Sequence, residues 1–209
     1  MNKTFLTGSD HNLQDLIPWW VNCVRTHNPD IHITIADFGL TDGAREWLKN
    51  NVDHVITYEM HPKLAWFLKP QSMIDCPYEY TCWLDLDCEM VAPVPEIFDF
   101  PTEDKMALTH DVVRGPDIWA VGVNVVKGNP PILIDWARNT INTEERGDQE
   151  VLHKMIQVNR EYNNQIIKMP LEYQWLRLSL HQGYDSPDKK IVHWTGPVGK
   201  EHIRKNLMR

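Results

Sequence analysis

The chain alternates between two hydrophobic periods. Short apolar or alternating runs predict strands at 4–7 (TFLT), 31–37 (IHITIAD), 54–59 (HVITYE) and 80–87 (YTCWLDLD). Between the first two, Leu16, Ile17, Trp20, Val21 and Val24 recur at helical spacing. They predict a helix that Asp15 can cap and that runs to about Thr26. Pro18 is tolerated there because the first turn lacks intrahelical acceptors for its N–H groups. A short helix is expected near 43–50, and 64–75 reads as partly helical, interrupted by Pro70. Further strands are predicted at MALTHD (106–111), WAVGVNVV (119–126), IIKM (166–169) and IVHW (191–194), with helices at 131–142 and 148–159. Strand–helix–strand alternation over the first 90 residues predicts an α/β fold, a mostly parallel central sheet flanked by helices. No repeat, low-complexity tract or linker divides 1–209, which reads as a single domain; the prolines of 93–101 mark a loop.

Composition narrows the function classes. With 209 residues and 42% hydrophobic content, one α/β core can be filled. The formal charge of −8 argues against a nucleic-acid binder held by phosphate contacts. A single nucleotide stays compatible, because a metal ion can neutralise a diphosphate locally. Cys23, Cys76, Cys82 and Cys88 form no C-x-x-C pair and read as thiols in a reducing compartment. The first residues lack a signal peptide's layout, and no run approaches the ~20 apolar residues of a membrane span. The expected location is cytoplasmic. Nine tryptophans are many for this length; most are expected in the core, although carbohydrate sites also use aromatic faces.

The stretch WLDLDCEMV (83–91) carries the first chemistry. As a strand it puts Cys82, Leu84, Leu86 and Cys88 on one face and Trp83, Asp85 and Asp87 on the other. Two carboxylates then project together from the C-terminal end of a central strand, where open α/β sheets place their ligand crevice. Hard oxygen ligands there suit Mg²⁺ or Mn²⁺ carrying a diphosphate. The plainer alternative is a pair of acids that caps a neighbouring helix or faces solvent.

Other segments join this one in a recognisable order. LTGSDHN ends the first strand with a small residue and D-x-N; IADFGLT ends the second with D-x-G-[IL]-[ST]; KPQSMIDCPYEYTCWLDLD places a basic residue and a helix ahead of the acidic strand. GDQEVL starts a later helix with D-Q, and IVHWTGPVGK contains a late H-x-x-G with a following lysine. In this order and over nearly the whole chain, the sequence resembles glycosyltransferase family 8 and its relatives with the GT-A fold.

The resemblance implies a hexosyltransferase that uses a nucleoside diphosphate sugar, UDP-linked, and a carbohydrate acceptor. It implies that Asp85, Asp87 and His193 bind Mn²⁺; imidazole with two carboxylates is an N,O,O set suited to that ion. Thr7, Asp10 and Asn12 would hold the nucleoside, while Lys69, Asp85, Gly196 and Lys200 would address the diphosphate or donor sugar. Asp148 and Gln149 would line the reaction centre. An amide is a poor nucleophile, so Gln149 suits a front-face, retaining reaction in which it stabilises positive charge on the sugar ring. An inverting enzyme would need a carboxylate base, and Asp148 or Asp111 could serve. Asp148 also reads simply as a helix N-cap.

Two departures matter. The family's H-x-x-G-x-x-K spacing has one residue inserted before Lys200, and its following Pro-Trp is missing. If Gly122 is the glycine of the family's N-x-G, Ala120 replaces a donor-sugar asparagine, and Asn124 lies on the neighbouring pleat. Two other classes share the D-x-D: a haloacid-dehalogenase-type phosphohydrolase, which wants Thr or Val where Glu89 stands, and a non-catalytic nucleotide-sugar-binding protein. The basic tail, with Lys200, Arg204, Lys205 and Arg209, reads as a packed helix, a flap over the diphosphate, or a peripheral membrane contact.

Overall fold

The computed structural model describes residues 2–59, 65–115 and 117–208. Among these, a central sheet of seven strands has the order β3-β2-β1-β4-β7-β6-β8. The strands are β1 (Lys3–Ser9), β2 (His32–Asp37), β3 (His54–Thr57), β4 (Tyr80–Leu84), β6 (Met106–His110), β7 (Trp119–Lys127) and β8 (Ile166–Lys168). β7 is antiparallel to β4 and β6; the other pairings are parallel. A small second sheet sets β10 (Ile191–His193) between β5 (Cys88–Met90) and β9 (Trp175–Leu176).

Alternation along the strands fills a core on each face. Phe5, Ile33, Ile35, Cys82, Leu84, Val123 and Val125 pack with Trp20, Val21 and Val24 of α1 (Ile17–His27). Leu6, Trp83, Val121 and Val126 pack with Ile132 and Trp136 of α4 (Pro131–Ile141) and Val151 and Leu152 of α5 (Asp148–Val158). Burial on both faces is what makes the parallel strands read as continuous apolar runs. Trp20 and Trp136 are fully enclosed.

Four expectations change. Asp15 does not cap α1; a 3₁₀ turn at Gln14–Leu16 precedes the helix. Its carboxylate instead accepts two hydrogen bonds from Arg204, at 2.6 and 2.9 Å. Asp148 is the first helical residue of α5, and Gly147 takes the cap position. The stretch expected to be partly helical over 64–75 resolves into a 3₁₀ turn at Ala65–Leu68 and α3 (Lys69–Ile74), with Pro70 in the first turn of α3; residue 64 lies outside the described residues.

Most important, β4 ends at Leu84, so neither Asp85 nor Asp87 lies in it. Asp85 N–H bonds to Gly122 O at 2.7 Å, Cys88 N–H bonds back to Asp85 O at 2.8 Å, and the chain leaves to pair with β10. The two acids occupy the turn where the chain passes from the large sheet to the small one.

The tail forms α7 (Gly196–His202) and a π-turn over Ile203–Leu207. Ile203 is fully buried and Leu207 packs against the same core. No helix among the described residues is long and apolar enough to cross a membrane.

Candidate functional site

A cavity of about 710 Å³ opens at the C-terminal ends of β1 and β4. Asp85, Asp87 and His193 line its floor, Asp148 and Gln149 a wall, and Asp10 and Asn12 the side next to β1. Lys69, Gly196 and Lys200 line it too. The fold therefore brings every expected site residue except Thr7 and Asp111 onto one concave surface. Thr7 is buried inside β1, and its Oγ1 has no hydrogen-bond partner among the described residues.

The acidic turn is held from three sides. Trp83 Nε1 donates to Asp85 Oδ1 at 2.7 Å, and Trp194 N–H donates to Asp87 O at 2.9 Å. His193 Nε2 lies 3.2 Å from Asp87 Oδ1 and 3.6 Å from Asp85 Oδ2. Ligand atoms of all three residues fall within 4.8 Å of one another. Adjacent ligands at ~2.1 Å from an octahedral ion are ~3 Å apart, so this N,O,O set could hold a divalent ion once its widest separation closes.

Cationic groups already engage these carboxylates. Lys200 Nζ sits 2.5 Å from Asp87 Oδ2. Burial would push the Asp87 carboxyl up, but His193 and Lys200 outweigh it and hold Asp87 well below the usual carboxylate range. His193 moves the other way: burial lowers it, and the Asp87 charge more than compensates, raising it above ordinary imidazole.

Lys69 is not the solvated helix lysine its sequence position allows. It is 2% exposed, lies 2.8 Å from Asp85 Oδ1 and 2.7 Å from Asp148 Oδ2, and donates to Val121 O at 3.2 Å. Its ammonium also sits 5.5 Å over the Trp83 ring. Burial lowers its affinity for the proton, yet Asp148 and Asp85 more than restore it, so the charge is retained. Asp148 differs: its burial dominates and pushes the carboxyl up despite Lys69.

Gln149 Nε2 donates to Asp111 Oδ2 at 3.0 Å, which turns Gln149 Oε1 away from Asp111. Asp111 Oδ1 in turn accepts the N–H groups of Val113 and Arg114 at 3.2 and 3.0 Å, so this residue braces its own turn. Asp10 accepts from Asn12 N and Asn12 Nδ2, both at 2.9 Å, which fixes the loop leaving β1. Gly196, the first residue of α7, adopts φ +80°, a conformation that favours glycine, and α7 carries Lys200 inward. Asn124 is fully buried, donates to Val121 O at 2.8 Å and does not line the cavity.

One supporting residue escapes a reading of local sequence. Gln174 is buried between β6, β7 and β10 and reaches His193. Gly122 leaves room for that contact: a Cβ there would lie 2.4 Å from the His193 ring and 2.8 Å from Gln174 Nε2.

No protein-family model matches the sequence, and no curated protein matches it. Solved structures do match in shape. The galactosyltransferase LgtC, in complex with donor and acceptor sugar analogs, superposes with a TM-score of 0.68 at 12% identity, covering 93% of this chain and 87% of LgtC. The apo-form glycosyltransferase GlyE of Streptococcus pneumoniae TIGR4 gives a TM-score of 0.72 at 15% identity, covering 94% of this chain and 55% of GlyE. The bifunctional glycosyltransferase WbbM gives 0.67 at 12% identity, covering 92% and 45%. This chain has the GT-A fold of these glycosyltransferases.

Proposed function

We propose that the chain is a metal-dependent glycosyltransferase that moves a hexose-type sugar from a nucleoside diphosphate, UDP, to a carbohydrate acceptor with retention of configuration. The observation that carries this reading is the convergence of Asp85, Asp87 and His193 on the floor of the cavity that Asp148 and Gln149 wall. LgtC, whose fold the chain shares, was solved with donor and acceptor sugar analogs, which supports sugar partners on both sides of the reaction.

When bound, Mn²⁺ or Mg²⁺ would neutralise diphosphate charge as a Lewis acid. The chain's own groups would do the rest. Lys200, now on Asp87, is placed to shift to the leaving diphosphate and stabilise its charge. Lys69 is fully engaged by two carboxylates, so its role is to orient Asp85 and Asp148 rather than to grip the donor. Gln149 Oε1, turned away from Asp111, can face the positive charge that develops on the sugar ring.

The same geometry weighs against the inverting alternative. Asp148 is paired with Lys69, and both Asp111 oxygens are taken, so neither carboxylate is disposed to accept a hydroxyl proton. It also weighs against phosphohydrolase chemistry, because Asp85 is held by Trp83 and Lys69 rather than poised as a nucleophile.

The test is a screen of nucleotide sugars for donor hydrolysis with Mn²⁺ present, run on wild type and Asp87→Asn. Wild type should hydrolyse at least one donor slowly, and the variant should lose roughly 10²–10³-fold in rate, as for removal of one electrostatic stabiliser. No turnover of any donor by wild type would leave a sugar-nucleotide binder. Full activity of the variant, or in EDTA, would remove the metal from the reading.

A further inference from the structure

The proposed metal ligand His193 has a neighbour whose orientation the backbone dictates. Gln174 is 2% exposed, and one end of its carboxamide lies 2.9 Å from Val123 N and 3.2 Å from Thr109 Oγ1. A backbone N–H can only donate, so that end is the oxygen. The other end, 3.2 Å from His193 Nδ1, is therefore the NH₂. An amide nitrogen has no lone pair to offer, so Nδ1 must be the acceptor. A neutral imidazole carries one ring proton, which is left to Nε2, where Asp87 Oδ1 lies 3.2 Å away to receive it.

This is the reverse of the usual arrangement around a metal-bound histidine, which donates its distal N–H to a carbonyl, a carboxylate or water. For Nε2 to ligate a cation, its proton has to go, and a proton arriving at Nδ1 meets the amide N–H of Gln174. Turning the amide over would set its NH₂ against Val123 N–H. Space does not relieve the conflict, because Gly122 packs directly beneath the ring and the amide.

We propose that Gln174 is a positioning residue that holds His193 in the Nε2–H form, as a hydrogen-bond donor to Asp87, and so opposes metal ligation by His193. The proposal rests on the reading of Asp85, Asp87 and His193 as a metal site. It makes the empty-handed site reluctant: Asp87 is satisfied by His193 and Lys200, and a cation has to arrive with ligands of its own, such as a diphosphate, to displace them.

The test starts with the full-length protein free of metal, nucleotide and sugar. Nitrogen-15 spectra of the histidine rings, with His193 assigned by its loss in His193→Asn, should show Nε2 protonated and Nδ1 bare. A ring protonated at Nδ1 overturns the proposal without touching the metal reading. Next, Mn²⁺ is titrated in saturating UDP. Gln174→Glu puts oxygens toward Val123 N–H and toward Nδ1, so it should move the ring proton to Nδ1 and tighten Mn²⁺ about ten-fold, the low end of effects from partners of metal ligands. Gln174→Met removes the opposing N–H and should bind Mn²⁺ at least as well as wild type. Ten-fold weaker binding by the Met variant would mean that Gln174 supports the metal-bound form, and would overturn the proposal even if the Glu variant fails to fold. Failure of wild type to bind Mn²⁺ at all would sink the metal reading instead, with the ring spectra still deciding the role of Gln174.

Discussion

Lys69 Nζ and Asp148 Oδ2 stand 2.7 Å apart in a part of the cavity wall where both residues are buried. The pair ties the start of α3 to the start of α5, and through Asp85 ties both to the acidic turn. An ammonium so enclosed is tolerable only with its partners in place.

Lys69→Met should therefore destabilise the fold by about 3 kcal/mol, the lower end for breaking a buried pair, since Asp85 keeps some solvent contact. Urea unfolding measures it. The double variant Lys69→Met, Asp148→Asn should recover part of the loss, because one stranded charge is gone. No recovery would show that the cost lies in packing over Trp83 instead.

Mn²⁺ and UDP should bind cooperatively. Neither alone displaces Lys200 and His193 from Asp87 well, whereas a metal–diphosphate unit brings charge and ligands together. Calorimetry should show each tightening the other by the same factor, as linkage demands. UDP affinity indifferent to Mn²⁺ would refute this.

Asp37 sets a pH-dependent part of the stability. Burial pushes its carboxyl up, but the hydrogen bond from Arg45 and the N–H groups of Leu40 and Gly39 outweigh that, leaving it below the ordinary range. A depressed folded value means the contribution is present above about pH 4 and is lost as pH falls through the folded value. Asp37→Asn should cost about 1–2 kcal/mol at neutral pH, toward the low side for hydrogen bonds to charged groups because Arg45 is 43% exposed. The gap to wild type should close in acid. A gap that stays constant from pH 7 to pH 3 would contradict this origin.

Ile203→Ala should destabilise the whole domain by about 2–4 kcal/mol, since the residue is fully buried in the core that α1 shares. Arg204→Ala, which loses the partly exposed pair with Asp15, should cost under about 1 kcal/mol. Thermal melts separate the two. A small effect of Ile203→Ala would mean the tail is a loosely attached flap. In the structure, Lys200, Arg204 and Lys205 each pair with an acid, Asp87, Asp15 and Glu201, which leaves the membrane reading without support; Arg209 lies outside the described residues.

Much of the fold was legible because strands buried on both faces write long apolar runs, as β1, β2 and β7 do. The acid pair was legible because carboxylates rarely end such a run without reason. The break after Leu84 was not, since it depends on where Gly122 and β10 offer backbone partners. β5 and β9, three and two residues long, are too short to show a period. Gln174 meets partners 19, 51 and 65 residues away, and no local pattern announces such a contact. The buried state of Lys69 was hidden for a similar reason: nothing in the sequence around Pro70 shows that α5 is placed against it.

The turn between the two sheets also has a meaning in time. A ribosome releases residues in order, and Lys200 follows Asp87 by 113 positions. While residues 88–192 are being added, the nascent chain carries Asp85 and Asp87 with neither the imidazole nor the ammonium that later engages Asp87. Lys69 is already present to meet Asp85, whereas Asp87 gains its charged partners only when β10 and α7 emerge. β10 and α7 are laid down late, and a chain stalled before them holds two of the three residues of the Asp85, Asp87 and His193 cluster.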